Sequence, residues 1–573
     1  MGEVAEYSTY EEPAVRDALA GRKLAGPGAE HKTIEAIEVV TLDPIEPRDP
    51  APLFLDAAHV TTRRSIVLRE LLLSVGEPYQ RTLADESARN LRRLPQFSLV
   101  IVTVVEGSRP DTVRLLVVTK DVWSLFVDFE VIYGPGGLDR LYLKPRESNV
   151  AGTHRTAWLE TTVRPLSWSL ALGLADPRVE GQRLAWSGSG GVIVHRETKQ
   201  LEGGTGTFSV SRPLFATTAT WGFLAGMDVK QEIVRRYVDA RVALYEGALP
   251  WAWRARTLTW GANVSRSFGR VHKLDLSLGV EATRRAYEVP DANGYPAGSV
   301  TNFLQGEVPR GERRVGPWLQ ARAYTARFLR TWDVETLGLA EDVPLGPEVV
   351  ARVYAPLKGL SDRALLGASL GLRETVALGD GFGALSVSAS VETSGGAIQD
   401  LGLASHLRVV SPRTPIGRVV FDGQGLLRPR NSLRARSVLG GEGELRGYPT
   451  RFLSGENLVT AHVELRSPSV VLAGLVFGGV GFYDVGDAFG PERALSPRHA
   501  LGAGLRLVAP QIDRVAVRLD FAFGSPFTQR TPGVDPFTVF LAFTPAFDLP
   551  GVGGPTTAAL ASTRPTVGGG LWP

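Results

Sequence analysis

The 573-residue chain contains no cysteine and only two methionines. Without cysteine it has neither a disulfide framework nor a thiolate metal site. It also lacks an apolar run long enough for a membrane helix. The longest, residues 470–483, stops at Asp484, short of the roughly 20 residues a spanning helix needs. The excess of one charge is small, a net +3: 63 Lys and Arg are interspersed with 60 Asp and Glu, which excludes the basic stripe of a nucleic-acid binder. No charged-then-apolar leader opens the chain at Met1-Gly2-Glu3-Val4-Ala5-Glu6, so if the protein is exported we expect its signal to precede this numbering or to be missing. The eight histidines, at 31, 59, 154, 195, 272, 406, 462 and 499, form no i, i+4 metal pair, and no phosphate-binding loop occurs. We therefore expect no metal, no cofactor and no nucleotide.

The chain is rich in glycine (64) and carries 23 Phe, 13 Tyr and 11 Trp. Glycine suits turns and curved sheets, and the aromatics suffice for girdles at two membrane interfaces, although a globular core could also absorb them. Mean hydropathy is zero. A strand with one face in lipid and one in water averages to that value.

Residues 1–30 read as a linker, with a short helix as the alternative over part of 11–25. Residues 31–120 carry mixed periodicity. A strand is expected over 34–41. Val67, Leu68, Leu71, Leu72 and Val75 share one helix face, with Gly76 placed to end it. A second helix is expected from Thr82, with Asp85 three residues on as a capping box. Strands over 97–105 and 112–119 follow. This β-α-α-β-β order implies a small α+β sheet with two helices on one face and its other face or an edge free.

After Trp123 the helical period gives way to long alternating strands. Leu274, Leu276, Leu278 and Val280 alternate with Asp275, Ser277, Gly279 and Glu281; Leu385, Val387, Ala389 and Val391 alternate with Ser386, Ser388, Ser390 and Glu392. A soluble β-sandwich also alternates. The length favours a transmembrane β-barrel, whose strands need about 9–11 residues. So does the charge on the polar face, expected of a wet lumen that only a closed barrel provides in lipid. Residues 121–547, at roughly 27 per strand with loops, give about 16 antiparallel strands. The remaining tail, 548–573, is Gly-, Pro- and Thr-rich and is expected to be flexible.

The most informative stretch is Gly443-Glu444-Leu445-Arg446-Gly447-Tyr448-Pro449, in a long loop before a strand over 457–466. About 35 residues later comes Gly481-Phe482-Tyr483-Asp484-Val485-Gly486-Asp487. Alternation points Asp484 inward. Arg446 can meet it inside the lumen as a bidentate guanidinium–carboxylate pair; an exposed loop arginine and an unrelated strand aspartate are the alternative. Asp484 with Asp487 could also suggest a cation site, although a lumen network suits them better. Gly367-Ala368-Ser369-Leu370-Gly371 matches a nucleophile elbow, but strand-like residues follow where that motif needs a helix, so no enzyme is expected.

The Leu445-Arg446-Gly447-Tyr448 block, followed by Phe482, Asp484 and Gly486, resembles the loop and strand signatures of the BamA/TamA-type outer-membrane assembly and translocation family, the bacterial surface antigen superfamily. The segments Glu147-Ser148-Asn149-Val150-Ala151-Gly152 and Asp176-Pro177-Arg178 look like the same family, and the β-α-α-β-β unit is similar to a single POTRA domain. The resemblance covers about residues 31–547. It implies that Arg446 is the loop-tip arginine, with Asp484 its lumen partner. It further implies a POTRA-like domain in the periplasm that captures unfolded outer-membrane or secreted client proteins by strand addition at 34–41 or 97–105. The lateral seam would lie between strands over about 123–133 and 537–547, marked by Trp123, Phe537 and Phe547. Accessory lipoproteins and membrane lipid are the other expected partners. Besides an insertase, a two-partner-secretion-like translocator and a passive pore or anchor fit the same sequence.

Overall fold

The structure is a computed structural model that describes residues 7–542, except 48, 50–51, 135–136, 180–181, 236, 239–240, 433–434, 436, 441–444, 449–451, 492, 513 and 525–537. Three strands, Thr33–Leu42 (β1), Phe97–Glu106 (β2) and Thr112–Asp121 (β3), form a sheet in the order β1-β3-β2. β2 and β3 make an antiparallel hairpin, and β3 lies parallel to β1. Three helices accompany the sheet: α1 (Glu11–Ala18), α2 (Arg64–Glu70) and α3 (Arg81–Arg92).

α2 and α3 pack on one face, where Val67, Ala84 and Leu91 meet Ile34, Val100, Leu115 and Val117. α2 is shorter than the periodicity through Val75 suggests. Beyond Glu70 its backbone groups are taken elsewhere: Leu72 N–H donates to Ser87 Oγ at 2.9 Å, and Gly76 N–H to Ile34 O at 2.8 Å. Leu71 and Leu73 then enter the core in extended backbone. α3 begins one residue before Thr82, with Gln80 as its N-cap and no side-chain cap, so the expected capping box is not made.

The other face of the sheet is covered, so of the two expected alternatives, a free face or a free edge, only an edge is left. Ala14 and Val15 of α1 pack on Leu99, Ile101, Leu116 and Val118. Part of the stretch read as a linker is therefore a helix with a core of its own. The edges are half occupied too. Residues 23–25 bond to the end of β2 (Ala25 N–H to Val104 O, 3.0 Å), and residues 76–79 bond to the start of β1 (Ile34 N–H to Glu77 O, 2.9 Å).

From Leu125–Gly134 to Thr538–Ala542, 22 strand segments follow one another in the neighbour order of a closed barrel, antiparallel in every pairing described. Two of them, Arg327–Thr331 and Val470–Leu472, only prolong Glu312–Thr325 and Asn457–Arg466 against a shared neighbour, so 22 less 2 leaves 20 staves rather than about 16. The spacing of 27 residues was too generous because several turns are minimal: only residues 379–380 and 395–396 separate Leu366–Leu378, Gly381–Ser394 and Ala397–Val410. The long apolar run at 470–483 is a hairpin that turns at Ala473 and Gly474. Among the described residues no helix is long and apolar enough to cross a membrane.

The alternating apolar residues face outward. Leu172, Leu278 and Leu505 are 66%, 63% and 62% exposed, and similar side chains recur on staves around the barrel. The chain enters the first stave at the end where the small sheet sits. That near end carries the turns 151–154, 177–184, 213–220, 332–340 and 509–516. The loop with Arg446, between Arg418–Asn431 and Asn457–Arg466, belongs to the far end.

Candidate functional site

The far loop descends into the barrel and is held there by a buried charge cluster. Arg446 is fully buried. Its Nε donates to Asp484 Oδ2 at 2.8 Å and its Nη2 to Asp484 Oδ1 at 2.7 Å, a two-pronged pair. Its backbone N–H adds a third contact to Asp484, at 3.2 Å. Nη1 reaches Glu464 at 2.7 Å and Asp520 at 3.4 Å. The guanidinium lies 3.5 Å from the Phe482 ring centroid, over its face. Two residues of the strand signature thus hold the arginine together, Asp484 by charge and Phe482 by its ring.

The glycines of both motifs have steric reasons. Gly447 has φ +91°, and a Cβ there would meet Gly524 N at 2.8 Å. At Gly486 a Cβ would meet Leu439 of the loop at 2.9 Å and Val459 O at 3.0 Å. Leu445 and Tyr448 close the site with a small apolar core of Leu439, Leu453, Ala488 and Ala500. Tyr448 Oη donates to His499 O at 3.2 Å.

The surrounding partners were not legible in the sequence. Glu464 also accepts from Arg466 Nε at 2.8 Å, and Arg466 pairs with Val334 O in the near-end turn. Asp520 is shared with Arg506 and with Arg518 Nη2 at 2.9 Å. His462 Nδ1 lies 3.1 Å from Asp484. Alternation alone places these residues inward, but only the register of the neighbouring staves brings them level. Asp487 is engaged by Arg493 and by Ser496 N–H at 2.5 Å, and no metal-binding group of side chains occurs among the described residues. The cation alternative for Asp484 and Asp487 thus gives way to ion pairing. Ser369 stands mid-strand in Leu366–Leu378 with no helix after it, so the elbow geometry is absent there.

The near end is a second site. Arg178 grips Glu70 of α2 with Nε and Nη2 at 2.7 and 2.9 Å. His154 Nε2 lies 3.0 Å from Thr62 Oγ1, and Asn149 Nδ2 donates to Thr62 Oγ1 and Val60 O, both at 3.1 Å. The two sequence segments around Asn149 and Asp176 therefore clasp the small domain to the barrel. Burial, reinforced by the Arg178 charge, pushes the His154 imidazole down to about 3. Arg92 binds Asp342 at 2.7 and 2.9 Å, and Glu86 accepts from Thr217 at 2.6 and 2.8 Å. At the mouth itself, buried Tyr10 packs with Leu337, Leu339, Val476, Val508 and Ala516. Glu11 accepts from Trp332 Nε1 at 3.1 Å.

Of the three residues expected to mark the seam, one is described. Trp123 precedes the first stave, and its N–H bonds to Gln511 O at 2.5 Å, so it belongs to the link. The stretch before Leu125 is spent joining the two parts, which moves the first barrel strand past it. Phe537 and Phe547 lie outside the described residues, as does the tail 548–573; the last described strand is Thr538–Ala542.

No family model and no curated protein matches the chain. Solved structures overlap it loosely. BamA from Haemophilus ducreyi lacking POTRA domains 1–3 is 12% identical, over 88% of this chain and 84% of that one, with a TM-score of 0.33. CdiB from Escherichia coli is 14% identical, over 89% and 75%, with a TM-score of 0.41. The FrpB iron transporter from Neisseria meningitidis is 9% identical, over 78% and 87%, with a TM-score of 0.36. The chain's own geometry has to carry the functional reading.

Proposed function

We propose that the chain is an outer-membrane barrel of the BamA/TamA type that handles client polypeptides, with its small domain acting as a single POTRA-like unit in the periplasm. The observation that carries this reading is the buried latch of Arg446 on Asp484 and Phe482, which joins the two resembling motifs in one contact. The outward apolar staves support a membrane location, since only lipid or a partner can cover so many exposed large side chains.

In this reading a client adds a strand to the later part of the β1 edge, which is half-buried, because residues 97–101 at the start of the β2 edge are buried. The barrel would open between Leu125–Gly134 and Thr538–Ala542, its first and last described staves. Accessory lipoproteins would act through the same β1 edge. No step requires a cofactor or an enzymatic residue.

The test is reconstitution of the full chain in proteoliposomes. A denatured outer-membrane protein and a secreted β-helical protein are offered separately. Folding of the first into the bilayer, seen as heat-modifiable mobility, supports insertion. Protease protection of the second inside the vesicles would make the chain a two-partner-secretion-like translocator. Failure with both clients would refute client handling and leave a pore or anchor.

A further inference from the structure

The lumen wall has two unlike stretches. On one side the inward side chains are charged and dry: Arg408, Asp422, Glu464, Asp484, Arg518 and Asp520 are all buried. On the other side the inward residues are small and mostly hydroxylated. Ser189 of Ala185–His195, Ser209 and Thr207 of Leu201–Arg212, and Thr257, Thr259 and Asn263 of Ala252–Phe268 alternate with the outward Val192, Phe208, Trp260 and Val264. None of those six is buried, and the non-buried inward positions run from Ser187 and Ser211 at the near end to Ile193 at the far end. The hydroxyls pair across strands, Ser189 with Thr207 at 2.7 Å and Ser187 with Ser209 at 2.9 Å. Charge lies between and beside these staves: Trp221–Arg235 carries Asp228 and Lys230 paired with Glu232 at 2.7 Å, and His272–Glu288 brings Glu281 and Arg285 level with Gly261 and Thr257.

We infer that this hydroxyl-lined stretch is an aqueous conduit for small uncharged hydrophilic solutes of sugar or polyol size. Short hydroxyl side chains leave room for water. They exchange hydrogen bonds with a polyol without trapping an ion, whereas the charged stretch has its charges compensated and its space filled. The Arg446 latch lies on other staves, so its closing does not occupy this stretch, whose near end is bordered by the small domain through Glu70 on Arg178 and Glu86 on Thr217. The inference goes beyond polypeptide handling and does not depend on it.

The test uses the natural absence of cysteine. Full-length single-cysteine variants Ser189→Cys, Thr207→Cys, Ala500→Cys and Thr198→Cys are reconstituted, and swelling in isosmotic arabinose is followed before and after conjugation to a bulky membrane-impermeant maleimide. Heat-modifiable mobility confirms folding; Thr207→Cys serves if Ser189→Cys does not fold. The expected result is swelling above protein-free vesicles, and labelling at Ser189→Cys or Thr207→Cys that abolishes it. Labelling at Thr198→Cys, in an exposed far-end turn, leaves swelling intact, and buried Ala500→Cys does not react. The inference is overturned by swelling no faster than protein-free vesicles, by unreactive cysteines at 189 and 207, or by swelling that survives their conjugation.

Discussion

Replacing Arg446 by alanine should release the far loop while leaving the barrel closed. The substitution removes the cation that Asp484 grips with both oxygens and that Glu464 and Asp520 share. Asp484 keeps His462, and Glu464 keeps Arg466, so the cluster is weakened rather than emptied. Breaking a buried pair by deleting one partner costs about 3–5 kcal/mol. At about 1.4 kcal/mol per tenfold, opening of the loop should rise roughly a hundred- to several-thousand-fold. That cost falls on the loop, because the inter-strand hydrogen bonds of the neighbouring staves do not involve Arg446. Hydrogen exchange read by mass spectrometry on peptides covering residues 445–448 is the direct assay, with the strand Leu475–Phe489 as internal reference. Arg446→Ala should remove protection from the loop and spare the strand. Arg446→Lys, which keeps charge but loses the planar fork, should fall between. An unchanged loop would refute the latch, and simultaneous loss of protection in loop and strand would show that Arg446 holds the barrel rather than the loop.

Glu70→Ala leaves Arg178 and Arg183 without their shared carboxylate, so the small domain should become sensitive to protease in the folded barrel; resistance equal to the unaltered chain would count against docking at that pair. His154 is held neutral by burial at about 3, whereas an unfolded histidine titrates near 6.5, so the unfolded state takes up the proton first. Stability of the near-end junction should therefore fall as pH drops below about 6.5 and level off near 3, by about 2 kcal/mol at pH 5. Thermal unfolding of the docked domain should show this slope, and His154→Gln should flatten it; equal slopes would remove His154 as the cause. Ser369→Ala should leave any esterase background of the purified protein unchanged, since the residue sits mid-strand, and a measurable loss would reopen catalysis at that serine.

The latch was legible because both motifs lie on uninterrupted strand and loop pattern, so alternation alone pointed Asp484 at the lumen. Glu464, Asp520 and Arg466 were not, because their meeting depends on which residues of adjacent staves stand level, a property of register. The stave count failed for a simpler reason: two-residue turns such as Gly379-Asp380 leave little signal between strands. The second covered face of the small sheet did leave a trace. Phe97–Glu106 reads Phe-Ser-Leu-Val-Ile-Val-Thr-Val-Val-Glu, too continuously apolar for a strand with one wet side, and α1 is what it required.

Helix α1 also imposes an order in time. Residues 7–18 precede every barrel strand in the chain, yet Tyr10 completes its contacts only with Leu337, Val476, Val508 and Ala516. The ends of that loop are some 500 residues apart in sequence, a separation that makes such contacts slow to form. Tyr10 must therefore wait for barrel strands far along the chain before it can be seated. A product cut short before residue 508 would leave Tyr10 without its full seat at the mouth, so the seating of α1 acts as a check that the later barrel strands have arrived.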